Sequence, residues 1–256
     1  MTETGYTRAD ILRIAAEQSA VDSSCRASDF FGAEHVVVLS RSDGAARKDL
    51  TQPFAFDLTS YGRNVVASVR RELVPVAQEY LRGRQTHACF ETPALHELDG
   101  MLAPFGLHTC FQAEYFLPDP ARMHIFSCPY PLRILEKEDF AALYLPQWSN
   151  ALCAVRRECD VLCVGAWDGA ALIGLAGCSA DCEEMWQIGI DVLPQYRGRG
   201  VAAALVSRLA QETFARGKVP FYCAAWSNIP SKRTALRCGF FPAWVQLTAK
   251  PVLHEA

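Results

Sequence analysis

The residues with the densest chemical content are Gln195-Tyr196-Arg197-Gly198-Arg199-Gly200-Val201-Ala202. Glycine has no Cβ, so Gly198 and Gly200 let the backbone take left-handed turns and pass close to a ligand. Val201, Leu205 and Leu209 follow at helical spacing. A loop that opens a helix offers unpaired N–H groups and the positive end of the helix dipole, which suits a pyrophosphate. Arg197 and Arg199 add positive charge at the same place. Three readings fit the loop: a glycine-bearing turn with exposed arginines, a loose dinucleotide fingerprint (Gly198-x-Gly200-x-x-Ala203), and a seat for the pyrophosphate of coenzyme A. The dinucleotide reading needs a carboxylate about 20 residues on, at the end of the next strand, to hold the ribose. That strand reads Phe221-Tyr222-Cys223-Ala224-Ala225-Trp226 and holds none.

Other chemistry-bearing residues are less patterned. Cys159 and Cys163, Cys178 and Cys182, His87 and Cys89, and His108 and Cys110 are spaced pairs, but there is no CxxC knuckle, so no metal is expected. Cys182 stands beside Glu183 and Glu184, which disfavour its thiolate. No GxSxG elbow and no phosphate-binding P-loop occurs.

The chain that must position these residues has 256 of them, half hydrophobic and 21% charged, which fits one large or two modest soluble domains. A net charge of −3 gives no basic field for nucleic acid. The most apolar stretch, Val161 to Ala180, is cut by Asp168-Gly169, so no membrane span is expected. The N-terminus carries Glu3, Arg8 and Asp10 and does not read as a signal peptide. Eleven cysteines, an odd number without regular spacing, fit reduced thiols in a cytoplasm. Four prolines between Leu117 and Pro131 mark a connection, and the domain boundary is placed near residue 130, giving units 1–130 and 131–256.

In the first half, the patterns predict a helix over 10–20, a strand over 35–40, a helix over 63–82 kinked at Pro75, and a strand over 107–117. The second half predicts a strand over 132–135, a short helix over 137–144, and a hairpin of 161–167 and 170–178 around Asp168-Gly169. A strand over 185–193, a helix over 200–216 ended by Gly217, a strand over 220–226, a helix over 230–237 and a strand over 240–248 complete it.

At this point the sequence resembles a known family. Val192-x-Pro194-x-x-Arg197-Gly198-x-Gly200-Val201-Ala202 is similar to the acetyl-CoA signature of the GNAT superfamily of N-acetyltransferases, and Asn228-x-x-Ser231 with Gly239-Phe240 resembles its later signature. The likeness spans roughly residues 130 to 248, and the whole chain resembles bacterial two-domain proteins of this type with a variable N-terminal half. It implies an α+β fold: a mixed, splayed β-sheet flanked by helices, with an additional N-terminal α/β domain, whose size and position suggest that it covers the acceptor side. It implies transfer of an acetyl group from acetyl-CoA, as cosubstrate and without a metal, to an amine of a small molecule.

The resemblance also implies residue roles. Backbone amides of Arg197, Gly198, Arg199, Gly200, Val201 and Ala202 would hold the pyrophosphate, and the backbone around Ile190 and Val192 would pair with the pantetheine arm. Asn228 would bond that arm, with Ser231 near the nucleotide end; by composition alone, Ser227-Asn228 before Pro230 is an ordinary helix cap. In relatives the general base is often a Glu on the strand before the loop, which puts forward Glu183, Glu184 and Asp191, although all three also read as solvated or structural carboxylates. The Tyr that many members place seven residues after the Asn is Ala235 here, so the usual general acid is missing; Tyr222, Tyr196 or a water is left to replace it. That departure keeps open a non-catalytic acyl-CoA sensor as the alternative. The acceptor's identity and the oligomeric state, a homodimer included, are left open by the sequence.

Overall fold

Asp168-Gly169 closes the hairpin that its composition predicts, with Gly169 at φ +59° and antiparallel partners on either side. The computed structural model describes residues 5–251, which leaves Glu3 outside. In chain order its elements are α1 (Arg8–Ser23), β1 (Val36–Leu39), β2 (Phe56–Ser60), β3 (Val66–Val69), α2 (Val74–Leu81), α3 (Thr92–Leu102), β4 (Leu107–Pro118), β5 (Leu132–Leu135), β6 (Asp160–Asp168), β7 (Ala171–Ser179), β8 (Met185–Val192), α4 (Val201–Ala215), β9 (Val219–Ala225), α5 (Ile229–Arg237) and β10 (Phe240–Pro251), joined by short 3₁₀ turns.

Two of the predicted elements differ. Residues 63–82 do not form one kinked helix. Val66–Val69 is a strand, and the helix begins only at Val74, with Pro75 in its first turn, where its missing N–H is harmless. Val65, Val66 and Val69 are wholly buried, and β-branched side chains pack well on a pleated surface. Residues 137–144 form turns and a 3₁₀ turn, Ala141–Leu143, instead of a helix. The Asp139 carboxylate accepts the Glu136 N–H at 3.0 Å, and Phe140 is inserted into the core, so local bonding and one anchor replace a helix too short to stand alone.

The described chain divides into two compact units, residues 5–14 with Phe116–Pro242, and Ala15–Tyr115 with residues 243–251. The proline-bearing segment 117–131 lies inside the first. In that unit the strand order runs β9-β8-β7-β6-β5, antiparallel except for the parallel β8/β9 pair, so the sheet is mixed. One face packs on α4: Val201, Leu205 and Leu209 join Val164, Ala176 and Ile188 in one core. The opposite face carries Cys163 and Leu175 against Phe140, Trp148, Ala151 and Leu152.

The second unit has the order β1-β3-β2-β10, parallel between β1 and β3 and antiparallel elsewhere. Phe56, Leu58, Ala67 and Leu247 pack against Leu73, Ala77, Leu98 and Leu102 of the α2–α3 region. The unit also buries charge. Arg47 pairs with Asp22 at 2.6 Å and donates to Gln246 Oε1 at 3.2 Å, and Gln246 Nε2 donates to Asp57 at 2.9 Å. Thr248 and Thr59 hydroxyls complete the Asp57 carboxylate's bonds. Burial pushes Asp57 up to about 6 despite these donors, and burial does the same to Asp160 of the first unit. Both therefore hold a proton more tightly folded than unfolded, so stability falls as pH rises from about 4 through 6. Asp57→Asn is expected to remove about half of that loss, up to about 3 kcal/mol at pH 8. Urea denaturation at pH 5 and pH 8 reads the difference; an unchanged pH slope in the variant would refute the assignment.

Candidate functional site

The parallel strands β8 and β9 pair from Met185↔Val219 to Ile188↔Tyr222. β8 then runs on to Val192 and β9 to Ala225, and among the described residues no further pairs join them. β8 stays bound to β7 over its whole remaining length, through Gly174↔Val192. The edge of β8 that turns to β9 is thus left with unpaired peptide groups, a template that another extended chain can bond. A cavity of about 830 Å³ opens in this gap, with Ile190, Val192, Tyr222 and Ala224 on its strand walls and Gly198, Gly200, Val201 and Ala202 at its loop.

The loop has the conformation its glycines permit. Gly198 sits at φ +73° and Gly200 at φ +82°, the latter as N-cap of α4. The first i→i−4 bond of α4 runs from Ala204 N to Gly200 O at 3.1 Å, so the amides of Val201, Ala202 and Ala203 precede the helical ladder. A Cβ built on Gly198 or Gly200 would meet nothing within 4 Å, so the space over these amides is open. The two arginines are tied elsewhere. Arg197 Nε donates to Val192 O at 2.9 Å, taking up one of the carbonyls expected to face the pantetheine arm. Arg199 donates to the Tyr130 hydroxyl at 3.0 Å and lies over the Tyr196 ring, whose own hydroxyl donates to Asp168 at 3.0 Å.

Asn228 caps α5, its Oδ1 accepting the Ser231 N–H at 3.3 Å, and its side-chain amide is exposed at the cavity. Ser231 Oγ lies 2.8 Å from the Tyr222 hydroxyl. Burial pushes the Tyr222 phenol up to about 12, so it keeps its proton at neutral pH. Ala235, at the position where the family's Tyr is expected, is wholly buried in the core.

The three candidate carboxylates separate. Glu183 and Glu184 stand exposed at the opposite end of β8 from the loop and do not occur among the residues lining the cavity. Glu184 faces Lys218 at 3.7 Å. Asp191 does line the cavity, but its oxygens accept three bonds, from Asn150 N at 2.8 Å, Ala151 N at 3.0 Å and Asn150 Nδ2 at 2.6 Å. It works as a clamp for the segment 150–151. The sheet is shaped for that segment: a Cβ on Gly189 would lie 1.7 Å from Asn150 O, and one on its cross-strand partner Gly177 would lie 2.0 Å from Ala151 O. Asp191→Ala is expected to release the segment and cost about 2 kcal/mol, given that bonds to a charged group are worth about 1.5–3 kcal/mol each and water recovers part. A thermal melt should fall by roughly 5 °C; an unchanged melt would refute the clamp.

Residues that the sequence reading did not single out also line the cavity, namely Asn150, Gln187, Arg233 and Arg237. Gly177 and Gly189 carried a usable signal, since a glycine inside a strand marks close approach of another backbone.

Residues 121–240 match the model of the acetyltransferase (GNAT) family. That stretch, a little under half of the chain, is similar to the acetyltransferase domain of this family. Among solved structures, the chain is similar to a putative GNAT-family acetyltransferase from Novosphingobium aromaticivorans (20% identity, 56% of this chain and 66% of that one, TM-score 0.41). It is also similar to a GCN5-related N-acetyltransferase from Kribbella flavida (13% identity, 63% and 65%, TM-score 0.48). A third is a putative acetyltransferase from Salmonella typhimurium solved with acetyl-CoA (16% identity, 50% and 97%, TM-score 0.35). The chain thus spans about two thirds of the length of the first two structures it matches. No curated protein matches. No helix of the described residues is long and apolar enough to cross a membrane.

Proposed function

We propose that the protein transfers an acetyl group from acetyl-CoA to an amine by direct attack. The observation that carries this reading is the opening of β8 from β9 with the α4 N-terminus at its mouth: an extended edge for an arm and an anion seat at one end of it. The open amides from Gly198 to Ala202, Arg199 among them, hold the pyrophosphate, whereas the Arg197 N–H expected to join them is taken by Pro194 O at 3.2 Å. The free edge over Ile190 to Val192 bonds the pantetheine arm, except at Val192 O, and Asn228 reaches the same arm with the part of its amide that capping leaves free. Acetyl-CoA supplies a thioester whose thiol, with a pKa near 8.5, leaves as thiolate, so the reaction does not depend on a strong general acid. Ser231 acts through Tyr222, whose protonated hydroxyl it holds at the cavity wall. The N-terminal half, residues 1–130, is assigned to acceptor specificity. The location is cytoplasmic, in keeping with eleven cysteines none of which forms a disulfide among the described residues.

Titration calorimetry with acetyl-CoA, joined to a thiol-release assay over lysine, spermidine, kanamycin and an alanine-terminated peptide, tests the reading. Micromolar binding with amine-dependent release is expected. Absence of binding at millimolar acetyl-CoA refutes it.

A further inference from the structure

Gln187 stands where the two parallel strands part. It pairs with Phe221, one step before the last pair Ile188↔Tyr222, and across β7 it pairs with Ser179. Side chains alternate along a strand, so Gln187 points to the face of Gly189 and Asp191, where Asn150-Ala151 lies. Its Oε1 is buried without a hydrogen-bond partner, and the residue lines the cavity; the hydroxyl of Ser179 opposite is also buried and without one. Buried polar groups are normally satisfied, so an unmet carbonyl oxygen at this point invites a ligand N–H.

The charged groups around it are of another kind. Asp191, the sole carboxylate among the described lining residues, is taken up by Asn150 and Ala151. Arg197, Arg233 and Arg237 bring positive charge. Of the other titratable groups, the Tyr222 hydroxyl is bonded to Ser231 and raised by burial, the Tyr196 hydroxyl donates to Asp168, and Cys223 adds a thiol. Among the described lining residues no carboxylate is left without protein donors, and three arginines oppose the entry of an ammonium ion.

Resting on the acetyl-transfer reading above, we propose that the acceptor is an amine of low basicity, the α-amino group of an amino-acid amide or peptide, which enters uncharged and donates an N–H to Gln187 Oε1. The nitrogen lone pair attacks the thioester carbon, the C–N bond forms as the C–S bond breaks, coenzyme A leaves as thiolate, and the surplus proton passes from nitrogen to water. An α-amine with pKa about 7.7–8.0 is roughly one-third uncharged at pH 7.5, whereas a lysine side chain at about 10.4 is uncharged in roughly one molecule in 800. The preference is thus on the order of 10²-fold.

Two isomers separate the cases: Nε-acetyl-lysine amide, which offers the α-amine, and Nα-acetyl-lysine amide, which offers the ε-amine. At pH 7.5 the α-isomer should show a kcat/KM roughly 250-fold higher, narrowing to about tenfold at pH 9.5, as the uncharged fractions dictate. Gln187→Leu should lower kcat/KM for the α-isomer at least tenfold with the Kd for acetyl-CoA unchanged, which also verifies folding. Gln187→Glu, which supplies a proton acceptor, should raise the ε-isomer relative to the α-isomer and move the acid limb of the pH profile down. Equal or ε-preferring rates, turnover of neither isomer by a wild-type protein that binds acetyl-CoA, or a Gln187→Leu variant unchanged within twofold each overturn this acceptor assignment. Absence of acetyl-CoA binding by the wild type instead overturns the reading on which it rests.

Discussion

Gly200→Glu, and equally Gly198→Glu, should weaken acetyl-CoA binding by about 10²–10³-fold. Charge-assisted hydrogen bonds are worth about 1.5–3 kcal/mol each, and a side chain over the first turn of α4 denies the pyrophosphate at least two of them while adding a like charge. Conformation contributes separately, because both glycines hold positive φ, where a side chain costs about 1–2 kcal/mol. Gly200→Ala isolates that second effect: its Cβ would meet nothing within 4 Å, so it should lose only about tenfold. Calorimetry on the three variants reads the split. Full affinity in Gly200→Glu would remove the loop from the site.

Gly189→Val should damage the fold more than any other change at the site. A Cβ there would lie 1.7 Å from Asn150 O and 2.7 Å from Asn150 C, backbone atoms that no rotamer change can move aside. The segment must lift, breaking the three bonds to Asp191 and withdrawing Ala151 from the core with Trp148 and Leu152. Overpacking alone costs about 1–3 kcal/mol, and the lost bonds add to it, so a loss of about 4 kcal/mol is expected. The comparison is Gly44→Val, where a Cβ would meet nothing. Equal melting temperatures for Gly189→Val and Gly44→Val would contradict the packing described. Coupled to Asp191→Ala, the double variant should lose less than the sum, since both release the same segment.

The chemistry of the loop was legible because it is contiguous. Glycine spacing, the apolar helix that follows and the turn residues all act within a few positions of one another, so local propensity and hydrogen bonding dictate the turn that opens α4 without help from distant chain. The hairpin at Asp168-Gly169 and the strands and helices after it were legible for the same reason. The misreading of residues 63–82 as one helix shows the limit: burial of Val65, Val66 and Val69 on both sides of the chain decided for a strand, and burial is set by partners elsewhere.

The carboxylates show it more sharply. Glu183, Glu184 and Asp191 look alike as acids near a strand, and whether one is free to take a proton depends on which donors reach it. Asn150 reaches Asp191 from 41 positions away. The amino-acid sequence by itself determined the glycine-bearing loop that opens α4, most of the elements from β5 onward and the likeness of residues 121–240 to the GNAT family. Only the tertiary structure decided where β8 leaves β9, that Asp191 is a clamp, and that Gln187 is the unmet polar group at the parting. Strand pairing and burial join residues far apart in the chain, and their energies depend on that meeting rather than on the identity of any one residue.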